Sequence, residues 1–129
     1  MAVALYVQKF GGTSVGTPDR IREVADHAAR CVKRGDQVVL VVSAMGKETD
    51  ELLRLADDVS TSKPGREMDM LITGGERKAC ALVAMALTDL GIESESFTGS
   101  PAGFLTNTTH RNAKILDCLL YTSDAADES

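Results

Sequence analysis

A lysine and two adjacent glycines follow the first apolar segment of the sequence, in the run Lys9-Phe10-Gly11-Gly12-Thr13-Ser14. Adjacent glycines remove side chains from a turn, so backbone N–H groups can approach an anion closely. The lysine adds a positive charge that can follow a phosphoryl group during its transfer. The run matches neither the GxxxxGK[ST] pattern of a P-loop nor the GxGxxG dinucleotide fingerprint. Taken alone, it is equally consistent with a phosphate-binding loop and with an ordinary tight turn.

A second group of small and polar residues, Ser43 to Glu51, follows the apolar run 37–42 and reads Ser-Ala-Met-Gly-Lys-Glu-Thr-Asp-Glu. Small residues at the end of a strand leave space for a ligand, and the residues after them offer hydroxyl and carboxylate groups. The alternative interpretation is a strand-to-helix turn in which Thr49 or Asp50 caps the next helix.

A third candidate is the glycine pair Gly74-Gly75 with Glu76 directly after it. Two glycines inside a helix cost about 2 kcal/mol of propensity relative to alanine, so the pair indicates a helix boundary or close approach of a ligand. Glu76 can hold the ammonium group of an amino acid. Its alternative role is an acid in the first turn of a following helix, where the helix dipole favours it.

The elements that position these residues are predicted from the spacing of apolar side chains. Continuous apolar runs indicate strands, a 3.6-residue period indicates helices, and Thr17 with Pro18 and Asp19 forms a helix start. We predict strands at residues 2–8, 37–42 and 92–97, with a further strand starting within 113–116. We predict helices from Pro18 to a stop at Gly35, over 52–59, over 68–72 and, after an interruption at Gly74-Gly75, over 79–90, with a loop at 98–103.

This alternation of strands and helices predicts an α/β layered fold with a parallel sheet. The uninterrupted aliphatic run 37–42 is typical of a strand buried on both faces. In such sheets, ligands gather at the carboxyl ends of the strands. The loops after Gln8 and Val42 are expected at such ends.

Composition narrows the class of function. Apolar residues make up 43% and charged residues 26%, as in an ordinary globular protein, and the net charge of −5 offers no basic surface for nucleic acid. No apolar run reaches the roughly 18 residues of a membrane span, and no signal peptide is evident, so we expect a cytoplasmic protein.

Cys31, Cys80 and Cys118 lack the spacing of a metal site or disulfide framework. His27 and His110 have no evident catalytic partner, and we expect structural or solvated roles.

The combined motifs resemble the aspartate kinase branch of the amino-acid kinase family. The resemblance covers about residues 3–117, and four ordered motifs carry it where any single one would be weak. These motifs are Val7-Gln8-Lys9-Phe10-Gly11-Gly12-Thr13-Ser14-Val15; Val42-Ser43-Ala44-Met45-Gly46 with Thr49-Asp50-Glu51; Arg66-Glu67-Met68-Asp69-Met70-Leu71-Ile72-Thr73-Gly74-Gly75-Glu76-Arg77; and Ser96-Phe97-Thr98-Gly99-Ser100 with residues 103–106.

The resemblance implies a three-layer α/β/α sandwich of the amino-acid kinase type, of which only the N-terminal part is present. It also implies that MgATP phosphorylates the side-chain carboxylate of L-aspartate, the first step towards lysine, threonine and methionine. Lys9 would stabilise the transferring phosphoryl group. Lys9, Phe10, Gly11, Gly12 and Ser43 would contact ATP, with Mg²⁺ bound through the phosphates, and the residues facing aspartate would be Thr13, Lys47, Glu48, Thr49, Asp50, Glu51 and Glu76. No protein-bound metal is expected, and the full-length enzyme is expected to be a homo-oligomer.

The sequence departs from the family in two respects. The later Gly-Arg-Gly-Gly-Ser-Asp substrate loop and the regulatory domains are absent, so we expect this chain to be inactive alone. Residues 118–129 leave the family pattern and resemble a translated sequencing adapter. We therefore expect residues 1–117 to be the N-terminal part of the catalytic domain and 118–129 to be a non-native tail.

Three alternatives stay open. Another amino-acid kinase, of the glutamate 5-kinase type, would share the glycine-rich start, although the motifs at Ser43 and Thr73 favour an aspartate kinase. The full-length protein can be monofunctional or fused to a homoserine dehydrogenase. A non-catalytic nucleotide- or anion-binding module is the alternative from a different class.

Overall fold

The computed structural model describes residues 4–97 and two short strand segments, 104–106 and 115–118. In chain order, the elements are β1 (Leu5–Phe10), a 3₁₀ turn (Gly12–Val15), α1 (Pro18–Lys33), β2 (Gln37–Val42), α2 (Glu48–Val59), α3 (Gly65–Asp89), β3 (Phe104–Thr106) and β4 (Ile115–Cys118).

Strands β1 and β2 form a parallel pair, with Leu5 opposite Gln37 and Phe10 opposite Val42. This pairing confirms the predicted α/β class, and β2 has the predicted bounds. Because both strands run in the same direction and end in register, the loops that follow them leave the same edge of the sheet. Strand β1 continues two residues beyond the predicted end, through Lys9 and Phe10.

Helix α1 begins where the sequence predicts. The Thr17 hydroxyl accepts a hydrogen bond from the backbone N–H of Arg20 at 3.2 Å, and Pro18 is the first helical residue. Gly35, just past the helix end, has a φ of +96°, a conformation that glycine adopts without steric cost. This helix is the crossover between β1 and β2.

The core lies on one face of the β1–β2 sheet. Partly buried side chains of this face pack against buried side chains of α1 and α3; they are Phe10, Val38, Leu40 and Val42. On the opposite face, Val7 is 67% exposed and Val41 is 46% exposed. The predicted burial of β2 on both faces is therefore wrong within the described residues, where α1 and α3 pack on the same side.

Helix α3 runs without a break through Gly74-Gly75. The predicted helix boundary at this pair is therefore wrong, as is the placement of Glu76 in the first turn of a new helix. The residues that follow the glycines, Glu76, Arg77 and Lys78, are strong helix formers, and Gly75 is buried against neighbouring elements, so packing offsets the local cost.

One further prediction is wrong for a reason of local hydrogen bonding, and one alternative interpretation is excluded. Residues 92–97 contain no strand. The Ile92 N–H donates to the Leu87 carbonyl at 3.0 Å, and the Ser94 hydroxyl donates to the Ala84 carbonyl at 3.3 Å, so the start of this segment is bonded to α3. Helix α2 begins at Glu48, and neither Thr49 nor Asp50 is its N-cap.

The remaining predictions concern the end of the chain. Strand β4 pairs antiparallel with β3 and begins at Ile115, within the 113–116 segment where the sequence predicts the start of a strand. The loop predicted at 98–103 and His110 lie outside the described residues.

The contrast between the two helical glycines supplies a stability test. An alanine Cβ at Gly74 would meet nothing within 4 Å, whereas at Gly75 it would lie 3.2 Å from Leu52 Cδ1. Gly74→Ala should stabilise the chain by about 0.5–1 kcal/mol through helix propensity. Gly75→Ala should lose most or all of that gain to steric crowding.

Urea unfolding of the chain followed by circular dichroism measures both variants, each serving as the control for the other. Equal stabilisation by the two substitutions would contradict the close approach of α3 to α2.

Candidate functional site

The loops that follow β1 and β2 touch each other through their backbones. The Gly46 N–H donates to the Gly12 carbonyl at 2.9 Å, and the Ser43 N–H donates to the Phe10 carbonyl at 3.2 Å. A Cβ at position 12 would lie 3.1 Å from the carbonyl oxygens of both Ala44 and Gly46. Gly46 itself has a φ of +51°, so both glycines are required by the geometry.

The loop after β1 is closed as a 3₁₀ turn. The Ser14 N–H donates to the Gly11 carbonyl at 3.0 Å. Val15, the last residue of the turn, is completely buried and anchors it in the core. The glycine-rich run is therefore a fixed turn, and its first backbone N–H groups lie at the start of a helical segment, where they have no partner within the turn.

Helix α3 joins the two loops at Ala44, which is buried. A Cβ at Gly75 would lie 3.4 Å from both Ala44 Cβ and Glu48 Cγ. All three motifs singled out from the sequence thus converge at one place. We call this contact of Gly12, Ala44, Gly46 and Gly75 the glycine junction.

An ion pair lies beside the glycine junction. Lys78 Nζ on α3 is 2.5 Å from Glu48 Oε2 at the start of α2. The Glu48 side chain is only 19% exposed, and that of Lys78 is 52% exposed. Lys78 carries no signal in the sequence, because its partner lies on another element and no local spacing links the two residues.

The predicted ATP contacts fall on both sides of the sheet. Lys9 is exposed near the end of β1 and lies on the same face as Val7 and Val41, since alternate strand residues share a face. Phe10 points to the other face, where its ring packs edge-on against His27 with 6.2 Å between centroids. The Phe10 side chain is therefore structural, and His27 has a structural contact as expected. Ser43 is partly buried beside the junction.

The predicted aspartate contacts surround the junction at different depths. Thr49 and Glu48 are partly buried, while the remainder are exposed: Thr13, Lys47, Asp50, Glu51 and Glu76. Glu76 lines a groove of about 560 Å³ between α3 and β2, together with Thr73 and Val42. Lys9 thus lies on the face of the sheet opposite to α3, which carries Glu76. The glycine junction lies where the two loops meet α3.

Residues 4–97 and the two strand segments contain no group of three or more side chains arranged to hold a metal ion. In the same part of the chain, no helix has the length and apolar character to cross a membrane.

Comparison with known proteins gives consistent matches. The model of the amino acid kinase family matches residues 4–123. The aspartokinase of Mycolicibacterium smegmatis is 57% identical over 115 residues, which cover 89% of this chain and 27% of that protein. The aspartokinase of Corynebacterium glutamicum is 56% identical with the same coverage. That of Bacillus sp. strain MGA3 is 52% identical and is covered over 28% of its length.

A solved structure of aspartate kinase from Synechocystis superposes with a TM-score of 0.65 at 50% sequence identity. The match covers 68% of this chain and 15% of that one. The chain therefore spans roughly a quarter of the length of the curated relatives it matches.

The glycine junction yields a prediction with an internal control. Gly12→Ala should destabilise the chain by about 1–3 kcal/mol, because the added methyl group would press on two backbone oxygens that cannot turn away. Gly11→Ala should change stability by less than about 0.5 kcal/mol. Gly11 has extended dihedral angles, φ −77° and ψ 177°, and open space around its Cβ position.

Urea unfolding midpoints of the two variants test this difference. A Gly12→Ala chain as stable as Gly11→Ala would show that the two loops do not approach as closely as described.

Proposed function

The chain belongs to the amino acid kinase family, and from this premise we propose that the full-length protein phosphorylates the side-chain carboxylate of L-aspartate with MgATP. The product would be 4-phospho-L-aspartate, which feeds lysine, threonine and methionine synthesis. The observation that carries the proposal is the glycine junction, where three motifs meet at the carboxyl edge of a parallel sheet, in a chain that is 57% identical over 115 residues to a protein named aspartokinase.

The proposed chemistry needs positioning and charge neutralisation more than proton transfer. An aspartate carboxylate is ionised at neutral pH and is already a nucleophile, so no general base is required. What the protein must supply is an in-line approach to the γ-phosphorus atom and positive charge near the transferring group.

We assign the phosphate contacts to the loop after β1. Gly11 and Gly12 would present backbone N–H groups to ATP, which is supported by the start of a helical turn at this point and by the absence of side chains. Lys9 would stabilise the transferring phosphoryl group, and Ser43 would line the nucleotide site. Phe10 would contribute only its backbone, because its ring packs in the core. Mg²⁺ would bind through the phosphates of ATP.

We assign the aspartate contacts to the start of α2 and to α3. Thr49 and Glu76 would contact the amino acid, with the Glu76 carboxylate facing its ammonium group. Thr13, Lys47, Asp50 and Glu51 would form the exposed border of this site. Glu48 would border it as well, held by its ion pair with Lys78.

We extend the proposal to the compartment and oligomeric state of the full-length enzyme and to the bounds of its catalytic part in this chain. It would be a cytoplasmic homo-oligomer, an inference that rests on the sequence resemblance. The catalytic part of this chain would end at residue 117, followed by a tail of foreign origin, although the family match itself continues to residue 123. The sequence of the genomic locus decides the origin of the tail.

The role of Lys9 can be tested in the full-length enzyme. Lys9→Ala should lower kcat by about 100-fold or more, because the charge acts mainly in the transition state. The KM for ATP should stay within about threefold, since other contacts hold the nucleotide. Trapping the acyl phosphate with hydroxylamine measures turnover.

The matched control for this substitution is Lys33→Ala, which removes another exposed lysine in the last turn of α1. It should leave both constants unchanged. Near-normal turnover of Lys9→Ala would exclude Lys9 from the phosphoryl transfer, and wild-type turnover of glutamate in preference to aspartate would contradict the proposed substrate.

The 129-residue chain alone should form no aspartyl hydroxamate above a blank without enzyme. It spans only about a quarter of its relatives, and one face of its sheet is exposed, so the remaining contacts to both substrates must come from residues beyond it. The same hydroxamate assay, with the full-length enzyme as the positive control, checks this. Turnover by the isolated chain would show that the described segments form a complete active site.

A further inference from the structure

The ion pair between Glu48 and Lys78 differs from the other ion pairs among the described residues. The others are local in sequence: Asp19 with Arg22, Arg34 with Asp36, Asp57 with Lys63, and Arg66 with Glu67. Glu48 and Lys78, by contrast, connect two helices, the first turn of α2 and the middle of α3. Among the acids of these pairs, only Asp36, with 17% of its side chain exposed, is less exposed than Glu48, with 19%.

The start of α2 has no side-chain cap. Its N-cap position is Lys47, which makes no side-chain capping bond, and the restraint on the first helical N–H is the bond from Glu48 to the Met45 carbonyl at 2.9 Å. Three acids lie in the first turn: Glu48, Asp50 and Glu51. They suit the helix dipole but repel one another, and an uncapped first turn frays readily. The contact with Lys78 neutralises one of these charges and ties the turn to α3.

The same contact sets the spacing between the two segments assigned to the amino acid. Glu48 precedes Thr49, and Glu48 Cγ would be 3.4 Å from a Cβ on Gly75, which precedes Glu76. Lys78 then holds the Glu48 carboxylate from the next turn of α3. The ion pair thus helps to fix the distance between the start of α2, which carries Thr49, and the turn of α3 that carries Glu76.

We propose that Lys78 is a positioning residue for the amino-acid substrate, acting through Glu48 on the first turn of α2. On this view, Glu48 serves the site through its ion pair and not by direct contact with the ligand. The inference rests on the proposed function, because it concerns the geometry of the proposed aspartate site.

Lys78→Met and Glu48→Gln in the full-length enzyme test the proposal, since each removes one charge and keeps a side chain of similar length. Each should raise the KM for aspartate by about 3- to 10-fold, with kcat and the KM for ATP within about twofold. The double variant should be no worse than the single ones, because either change alone abolishes the same interaction. Lys78→Arg, which keeps the positive charge, should retain a KM for aspartate close to that of the wild type.

The ion pair at the other end of α2 provides matched controls. Asp57→Asn and Lys63→Met break the contact between Asp57 and Lys63, which lies away from the glycine junction. Both variants should leave every kinetic constant unchanged. A rise in the KM for aspartate in these controls would mean that any loosening of α2 has the same effect, and the specific role of Lys78 would be refuted.

The outcomes separate this inference from the proposed function. An unchanged KM for aspartate in Lys78→Met, in an enzyme that phosphorylates aspartate, refutes the positioning role alone. Parallel rises in the KM values for aspartate and ATP also refute it, because they indicate general destabilisation. The proposed function is refuted if the wild-type enzyme neither binds aspartate in calorimetry nor turns it over. That outcome also refutes the positioning role of Lys78. If Lys78→Met does not fold, the isosteric Glu48→Gln decides the question by the same constants.

Discussion

Backbone-to-backbone contact at the glycine junction is the constraint on which the described part of this protein depends. Gly12 lies so close to the carbonyl groups of Ala44 and Gly46 that a methyl group on its Cα would press on two oxygens at once. The hydrogen bond from the Gly46 N–H to the Gly12 carbonyl holds this approach in place. Because the strands that feed the two loops are parallel and in register, the contact brings two strand ends and their loops into one rigid edge. Helix α3 completes it by placing Gly75 against Ala44.

The rest of the fold supplies the support that this edge requires. Val15 buries the end of the first loop in the core, and α1 returns the chain to the start of β2 after a well-capped first turn. The hydrophobic core between the sheet and the two helices on one face then fixes the strands. Candidate binding residues lie around a support of backbone and small side chains, and at Gly11, where the space around the Cβ position is open, a phosphate can approach the backbone closely.

Local signals in the sequence were sufficient for part of this arrangement. Thr17 and Pro18 predicted the start of α1, the aliphatic run predicted β2, and the small-residue motifs marked the loops that meet at the junction. Where tertiary contacts outweigh local preference, prediction failed. Gly74-Gly75 has the propensity of a helix end, yet α3 continues, and the missing side chain of Gly75 allows it to pack closely against Ala44. The ion pair between Glu48 and Lys78 had no sequence signal at all, since it depends on how α2 and α3 pack.

The junction also explains why the motifs are informative only as a set. A glycine pair after a strand is ordinarily a turn, and each candidate motif has such an unremarkable explanation when taken alone. In the folded chain, the space left by Gly12 is occupied by the backbone of the second motif, and the space left by Gly75 is occupied by Ala44 from that same motif. A larger residue at Gly12 or at Gly75 would press on the second motif, so the residue types of the first and third motifs depend on their contacts with the second. Three such motifs in this order therefore indicate one particular packing of the two loops against α3. That indication is far more specific than the presence of three independent turns.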